Sequence, residues 1–434
     1  MTLVGNSVLI GAVIFKRREV SMLKRSFQQN LETYADVVIS LGVNLQPGQV
    51  LTISAEPVHK ELIMALMERA YKKGAKDVIV DLSDPEFDRI KVLNVKNQDY
   101  LDFLPEHAKA KFKEIVDNGH ARIRICGMEK PDILEGLDVS RIEKANFEAI
   151  KYFYDEGIDK GNVQWCVIAG ATKGWAEKVF PKVPPVVAHT KLWDYIFKIT
   201  RSDRDDALDA WERHLDLLRS RSEKLNDLGI DMLRFQGEGT DLTVGLSHKA
   251  LFMSAFEKTH RGISYCANIP TEEVYTTPDR RRTRGHFAAT RPVLVGGNLV
   301  EGLKVVFDNE GGVANFSCRK GHEAFEKNIT ADEGARFLGE VAKVGVDSPI
   351  FESGIISNEI LTDENAACHV ALGGAYRTCF KDFAQISDEE YKELGCNYSS
   401  RHLDVMISNK TTDVTAVTRD GKEVLLLKKG RWQI

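Results

Sequence analysis

The 434-residue chain lacks several features that would place it quickly in a class of protein. It has no run of about 20 apolar residues, so no segment predicts a membrane-spanning helix. Basic residues are not in excess, because 59 Lys and Arg stand against 64 Asp and Glu, for a net charge of −5. Since nucleic-acid-binding surfaces are usually basic, we expect no nucleic-acid partner and no membrane partner.

Cysteine pairs and phosphate-binding loops are also missing. The seven cysteines are scattered, odd in number and never spaced as CxxC. This pattern predicts reduced thiols and a cytoplasmic protein rather than a disulfide-linked secreted one. No GxGxxG or GxxxxGK[ST] sequence follows a predicted strand, which argues against the common nucleotide-binding loops.

The first residues form an apolar segment that does not have the order of a signal peptide. The apolar run Leu3 to Phe15 is followed, not preceded, by the basic residues 16–18. We therefore interpret residues 1–22 as an extension outside the fold, with Met22 as a possible alternative start. A membrane anchor is the competing interpretation.

In the remainder of the chain, the pattern of predicted strands and helices changes near the middle. Buried strands at 50–53, 77–80, 121–125 and 164–168 alternate with helices, which predicts an α/β domain with a mostly parallel sheet over residues 23–202. A long charged helix at 203–229 is predicted to connect it to a second domain. Short strands with glycine turns then predict a strand-rich α+β domain over residues 230–434.

Carboxylates in the second half are the first candidates for chemistry. Glu273 lies in a strand-like stretch between Pro270 and Pro278. Thr330 and Glu333 have the spacing of a capping box, which predicts a helix that begins near residue 331 and carries Glu340. Gly339, just before Glu340, would let another backbone come close. Taken alone, each glutamate is better explained as an ordinary exposed acid than as a ligand.

Histidines provide stronger signals. His369 lies among small residues, and a nucleophilic Cys368–His369 pair is disfavoured because adjacent strand residues face opposite sides. His402 and Asp404 would project from one face of a strand, since alternate residues share a face. Imidazole and carboxylate groups are ligands for divalent cations, whereas a buried structural histidine and a polar surface pair are the alternatives.

Together these segments resemble the thermophilic-type metallo-aminopeptidases, the family of aminopeptidases T and S (peptidase family M29). The resemblance runs from about Leu23 to the C-terminus. The matching sequences occur in one order along the chain: IPTEEVYTTP at 269–278, FLGEVA at 337–342, ENAACHVALGGAY at 364–376 and HLD at 402–404. The ordered set is far more specific than any one member.

The resemblance implies a homodimeric, metal-dependent aminopeptidase that releases N-terminal amino acids from peptides with broad specificity. It implies two divalent ions (Zn, Co or Mg) that activate a water molecule for attack on the scissile carbonyl. In addition, Glu364 would move a proton and Tyr376 would stabilise the oxyanion. The alternatives are a metal-dependent hydrolase of another amide or ester, and a non-catalytic peptide-binding protein. The implied metal-binding residues are Glu273, Glu340, Glu364, His369, Tyr376, His402 and Asp404.

Overall fold

The computed structural model describes residues 25–434. The extension predicted for residues 1–22 lies outside the described residues. Within the described range, no helix combines the length and the apolar character needed to cross a bilayer.

Parallel strands form the centre of the first half of the chain. They pair side by side in the order β2-β1-β3-β4. Leu51, Ile53, Ile123 and Ile168 are fully buried, because helices cover the sheet and remove its apolar side chains from water. The strand bounds are β1 Val50–Ala55, β2 Asp77–Leu82, β3 Ala121–Cys126 and β4 Gln164–Ala169.

The helices of this half begin at recognisable sequence signals. Ser26 and Gln29 form a capping box at the first helix, and Pro185 is the first residue of the helix that follows Pro181 and Pro184. The predicted charged connector is a helix, beginning at Ala207. The bounds are α1 Phe27–Val37, α2 Lys60–Lys72, α3 Pro85–Asn94, α4 Gln98–Leu101, α5 Glu106–Asp117, α6 Ser140–Tyr152, α7 Lys173–Val179, α8 Pro185–Ile199 and α9 Ala207–Asp227.

The second half is rich in short strands, as the sequence predicts. Most of them pair in antiparallel sheets. Their bounds are β5 Ile230–Gly237, β6 Thr240–Leu246, β7 Met253–Ser254, β8 Phe256–Lys258, β9 Ser264–Cys266, β10 Asn268–Ile269, β11 Val274–Thr276, β12 Pro278–Ala288, β13 Val293–Val295, β14 Asn298–Val300, β15 Lys304–Phe307, β16 Val313–Ser317, β17 Leu338–Lys343, β18 His369–Gly373, β19 His402–Met406, β20 Asp413–Thr418, β21 Glu423–Lys428 and β22 Arg431–Trp432.

Two larger antiparallel sheets organise these strands. One has the order β16-β15-β12-β6-β5-β20-β21-β22, and the other has the order β19-β18-β17-β11-β7. Only short helices interrupt them: α10 His322–Ile329, α11 Pro349–Ser353, α12 Ile360–Asp363 and α13 Asp388–Glu393. The predicted fold class, a parallel α/β half followed by a strand-rich α+β half, is confirmed.

The structure corrects one local prediction. Glu340 does not lie on a helix that begins near residue 331. Asp332 caps only a short 3-10 turn, Glu333–Arg336, and the chain then enters strand β17. The predicted capping box of Thr330 and Glu333 is not formed, because the Thr330 hydroxyl donates to the Glu326 carbonyl of the preceding helix. The strand pairing of residues 338–343 with β11 and β18 decides their conformation.

One strand of the second half belongs to the sheet of the first half. Strand β10 pairs in parallel with β4 and so becomes the edge strand of the parallel sheet. The chain continues from β10 to Glu273 and then into β11 of the antiparallel sheet. The segment carrying Glu273 therefore passes directly from one sheet to the other, and the boundaries at 23–202, 203–229 and 230–434 stay a prediction.

Candidate metal centre

The five-stranded antiparallel sheet carries the predicted site on one face. Asp404, Ala371 and Glu340 are paired residues in a row across β19, β18 and β17. Because directly paired residues point to the same face, as do residues two apart in one strand, His402 and His369 share this face with Asp404 and Glu340. The fully buried Ala371 between the two carboxylates is small enough to leave space above it.

A β-bulge fixes the position of Glu340 in this row. The register of β17 against β18 shifts between Leu338 and Glu340. A Cβ at Gly339 would lie 2.3 Å from the carbonyl oxygens of Gly373 and Gly374, so only glycine permits this close approach. The interpretation of Gly339 as a position where another backbone comes close is therefore confirmed.

The first group of donor atoms combines Glu273, Glu340 and His369. Their donor atoms lie within 4.8 Å of one another, and all three residues are buried. The Nε2 atom of His369 lies 3.1 Å from Oε2 of Glu273 and 4.0 Å from Oε1 of Glu340. Despite this proximity, Oε2 of Glu273 is buried and has no hydrogen-bond partner among residues 25–434. A cation shared by these atoms would satisfy it, so the donor set fits a divalent metal ion.

The second group combines Glu340, His402 and Asp404. The Nε2 atom of His402 lies 3.2 Å from Oε2 of Glu340 and 3.5 Å from Oδ1 of Asp404. This end of the site is the more open one, because 29% of the His402 side chain is exposed. Glu340 is common to both groups and presents one carboxylate oxygen to each histidine.

Backbone carbonyl groups orient both histidines in the same way. The Nδ1 atom of His369 lies 3.2 Å from the carbonyl oxygen of Ala367, and Nδ1 of His402 lies 2.9 Å from that of Gly374. When Nδ1 donates its hydrogen to a carbonyl, Nε2 keeps the lone pair that a metal ligand needs. In both residues Nε2 faces the carboxylates.

The charges of the cluster perturb its titration strongly. Burial would lower the pKa of His369, but the adjacent carboxylates, Glu273 first, raise it well above the usual value. Burial would also lower the pKa of His402, whereas Asp404 and Glu340 raise it well above normal. Burial, followed by the charges of Glu273 and Asp404, raises the pKa of Glu340. These mutual effects require that the groups be neighbours.

Glu364 and Tyr376 lie beside the two groups without belonging to either. Burial, followed by the charges of Asp404 and Glu273, raises the pKa of Glu364 well above normal. The hydroxyl of Tyr376 is 3.3 Å from Nε2 of His402, and burial together with the nearby carboxylates raises its pKa well above normal. All seven predicted residues thus converge, five as donor groups and two at their border.

Some residues at the site had no role in the sequence analysis. Asn365, which is fully buried, accepts a hydrogen bond from the Glu272 N–H at 2.7 Å. Its own Nδ2 donates to the Glu364 carboxylate at 3.3 Å and to the Leu361 carbonyl at 3.0 Å. It therefore links the Glu273 segment to Glu364. Asparagine next to glutamate carries no pattern that reveals such a link, which exists only in the folded chain.

Lys343 is a second residue that the sequence did not single out. It is fully buried on strand β17, and within the described part of the chain its Nζ has no hydrogen-bond partner. The nitrogen lies 3.9 Å from the centroid of the Phe252 ring. Burial lowers the pKa of Lys343 to about 7. It faces away from the donor groups, because it lies an odd number of positions after Glu340.

Comparison with known proteins supports the same assignment. The model of the family described as thermophilic metalloprotease (M29) matches residues 27–432. The chain is 36% identical to aminopeptidase AmpS of Bacillus subtilis, over 94% of this chain and 99% of the relative. It is 37% identical to aminopeptidase T of Thermus aquaticus, over 94% of this chain and all of the relative.

A solved structure shares the whole fold. Wild-type AmpT from Thermus thermophilus superposes with a TM-score of 0.86 and 35% sequence identity, over 94% of this chain and 100% of that one. The fold and the donor set define a metalloprotease of the exopeptidase class. The chain belongs to the M29 family of thermophilic metalloproteases, and it is a metallo-aminopeptidase, as the resemblance implied.

Proposed function

We propose that the chain releases N-terminal amino acids of broad identity from peptides, using two divalent ions that share Glu340. One observation carries the proposal: two donor groups on one sheet face have a single carboxylate in common. The first ion would be held by Glu273, Glu340 and His369, and the second by Glu340, His402 and Asp404. When bound, such ions lower the pKa of water and polarise a carbonyl group.

Charge balance supports two ions rather than one. The cluster contains four buried carboxylates, Glu273, Glu340, Glu364 and Asp404. With Glu364 carrying the proton that it would deliver, the other three carboxylates hold more negative charge than one divalent cation neutralises, and burying that charge without counterions is costly. With two imidazoles among the donors, zinc or cobalt suits the site better than magnesium, which prefers oxygen ligands.

Tyr376 is proposed to stabilise the oxyanion that forms at the scissile carbonyl. Its raised pKa keeps the hydroxyl protonated at neutral pH, so it remains a hydrogen-bond donor. Its position within hydrogen-bond distance of His402 places that donor at the open end of the site.

Glu364 is proposed to move a proton to the leaving amine. Burial and the charges of Asp404 and Glu273 raise the pKa of Glu364, which favours the protonated form that a proton donor needs. The hydrogen bond from Asn365 orients this carboxylate.

Assembly, compartment and domain limits are part of the proposal. We expect a homodimer, testable by light scattering of the purified protein. A cytoplasmic location agrees with the cysteines, because all seven are free thiols in the structure. The domain boundaries at 23–202, 203–229 and 230–434 are testable by limited proteolysis.

Hydrolysis of aminoacyl-arylamides tests the function directly. We expect the metal-loaded protein to hydrolyse the leucyl and lysyl compounds, and to lose this activity when a chelator removes the metal. N-acetylated forms of the same compounds should not be cleaved. Cleavage of the acetylated compounds, or of simple esters alone, would indicate a different metal-dependent hydrolase. Peptide binding without any turnover would indicate a non-catalytic protein.

A further inference from the structure

A small cavity adjoins the metal centre at the junction of the two sheets. It has a volume of about 30 Å³, which is room for about two water molecules. Glu273, Glu340 and Tyr376 form the wall shared with the metal centre. Trp165 of strand β4 and Glu257 of strand β8 also line it.

The lining of this cavity is acidic. Three of the residues that line it are glutamates, and no lysine, arginine or histidine is among these lining residues. Glu273 and Glu340 belong to the metal donor groups, so bound cations would neutralise them. Glu257 would then remain as the one carboxylate of the lining that no ion balances.

The structure holds the Glu257 carboxylate in place. Glu257 and Tyr265 are directly paired in the hairpin formed by β8 and β9. The buried Tyr265 hydroxyl donates a hydrogen bond to Oε2 of Glu257, which orients this carboxylate in the lining of the cavity. Glu257 itself is only 9% exposed. An oriented, buried carboxylate is a strong acceptor for a small cation.

We infer that this cavity binds an ammonium group of the substrate's N-terminal residue, with Glu257 as its acceptor. The inference rests on the proposed aminopeptidase function and names a residue that recognises its substrate. The cavity is too small for a whole apolar side chain but large enough for an ammonium group. The ammonium group could be the α-amino group of any substrate, or the side-chain end of lysine.

The test combines a substitution of Glu257 in the protein with removal of the amino group from the ligand. Dissociation constants for metal-loaded protein would be measured by calorimetry with leucine and with 4-methylpentanoic acid, which is leucine without its amino group. Glu257→Gln keeps the hydrogen bond from Tyr265 and removes the charge. If the cavity binds the α-ammonium, leucine should bind about 10- to 100-fold more weakly to the variant, the size of a charge-assisted hydrogen bond. 4-Methylpentanoic acid should bind equally to both proteins.

Turnover of arylamides distinguishes the two sources of the ammonium group. A loss of kcat/KM for both leucyl and lysyl compounds identifies the α-ammonium, whereas a loss for the lysyl compound alone identifies the side chain. Unchanged constants for leucine and for both substrates would overturn the inference. Inactivity of the wild-type protein would instead contradict the proposed function, and the binding measurement would still report on the cavity.

Two further variants keep the result interpretable. Glu238→Gln changes an exposed glutamate outside the cavity and should leave all constants unchanged. If Glu257→Gln lacks the cooperative melting of the wild type, Glu257→Asp replaces it. This variant keeps the charge but withdraws it by one methylene group, so a smaller loss of leucine affinity is expected. Full leucine affinity in a folded Glu257→Asp variant would contradict the inference.

Discussion

Replacing Glu340 with glutamine should remove both metal ions, although only one side chain changes. Glu340 contributes to both donor groups, so the substitution leaves Glu273 with His369 in one and His402 with Asp404 in the other. Glutamine preserves the volume of the side chain and removes its charge. By contrast, Glu273→Gln takes a donor from one group only and should leave the other group intact.

The size of the effect follows from linkage between metal binding and folding. An ion present at 100 times its dissociation constant stabilises the folded state by about 2.7 kcal/mol, so two independent sites add about 5.4 kcal/mol. In a chain of this size, that difference corresponds to a rise in Tm of roughly 5–10 °C. The wild-type protein should show the full rise on addition of Zn²⁺, Glu273→Gln about half, and Glu340→Gln almost none.

Without metal, the order of the melting temperatures of Glu340→Gln and the wild type should reverse. Burial and the neighbouring charges raise the pKa of Glu340. The folded state therefore binds a proton that the unfolded state has released, and stability falls as pH rises above the unfolded pKa, about 4.3. At pH 7 the metal-free Glu340→Gln protein should melt at or above the metal-free wild type.

Scanning calorimetry with and without Zn²⁺ measures the melting temperatures, and mass spectrometry measures the number of bound metal ions. Two, one and fewer than one ions per chain are expected for the wild type, Glu273→Gln and Glu340→Gln, respectively. Glu352→Gln, a change at an exposed glutamate, serves as the matched control. Retention of two ions by Glu340→Gln would refute the shared-carboxylate arrangement.

Three further outcomes are expected. Asn365→Ala should weaken metal binding about 10- to 100-fold in competition with a chelator, because it releases the Glu273 segment and Glu364 from each other; unchanged affinity would contradict this. Lys343→Met should stabilise the protein by up to about 5 kcal/mol at or below pH 7, and the gain should fade as pH rises towards 10.5, where the unfolded lysine also loses its proton. Chemical denaturation at several pH values measures it, and a gain independent of pH would count against a buried charge. Cys368→Ser should keep most arylamide-hydrolysing activity, since no thiol chemistry is involved, whereas inactivity of a folded variant would implicate the thiol.

The sequence predicted the fold well where the hydrophobic period was regular. The buried strands of the parallel sheet and the alternation of His402 and Asp404 on one face follow from side-chain spacing alone. The segment around Glu340 was predicted wrongly as a helix, because a local capping signal at residues 330–333 cannot compete with pairing to two neighbouring strands. Such pairing partners lie far away in the sequence.

The candidate site, like the fold, was predicted from the sequence in part only. Its donor residues were found because their order along the chain resembles that of a known family. The shared position of Glu340 was not predictable, since it depends on the bulge at Gly339 and on the register of β17 against β18. Glu257 and Asn365 were missed because their roles depend on a cavity and a hydrogen bond that only the folded chain creates.

Anomalous diffraction from crystals grown with Zn²⁺, recorded at the zinc absorption edge, tests the central claim most directly. Two peaks are expected in each chain. One should lie among Glu273, Glu340 and His369, and the other among Glu340, His402 and Asp404. A single peak, or peaks that do not both contact Glu340, would contradict the account.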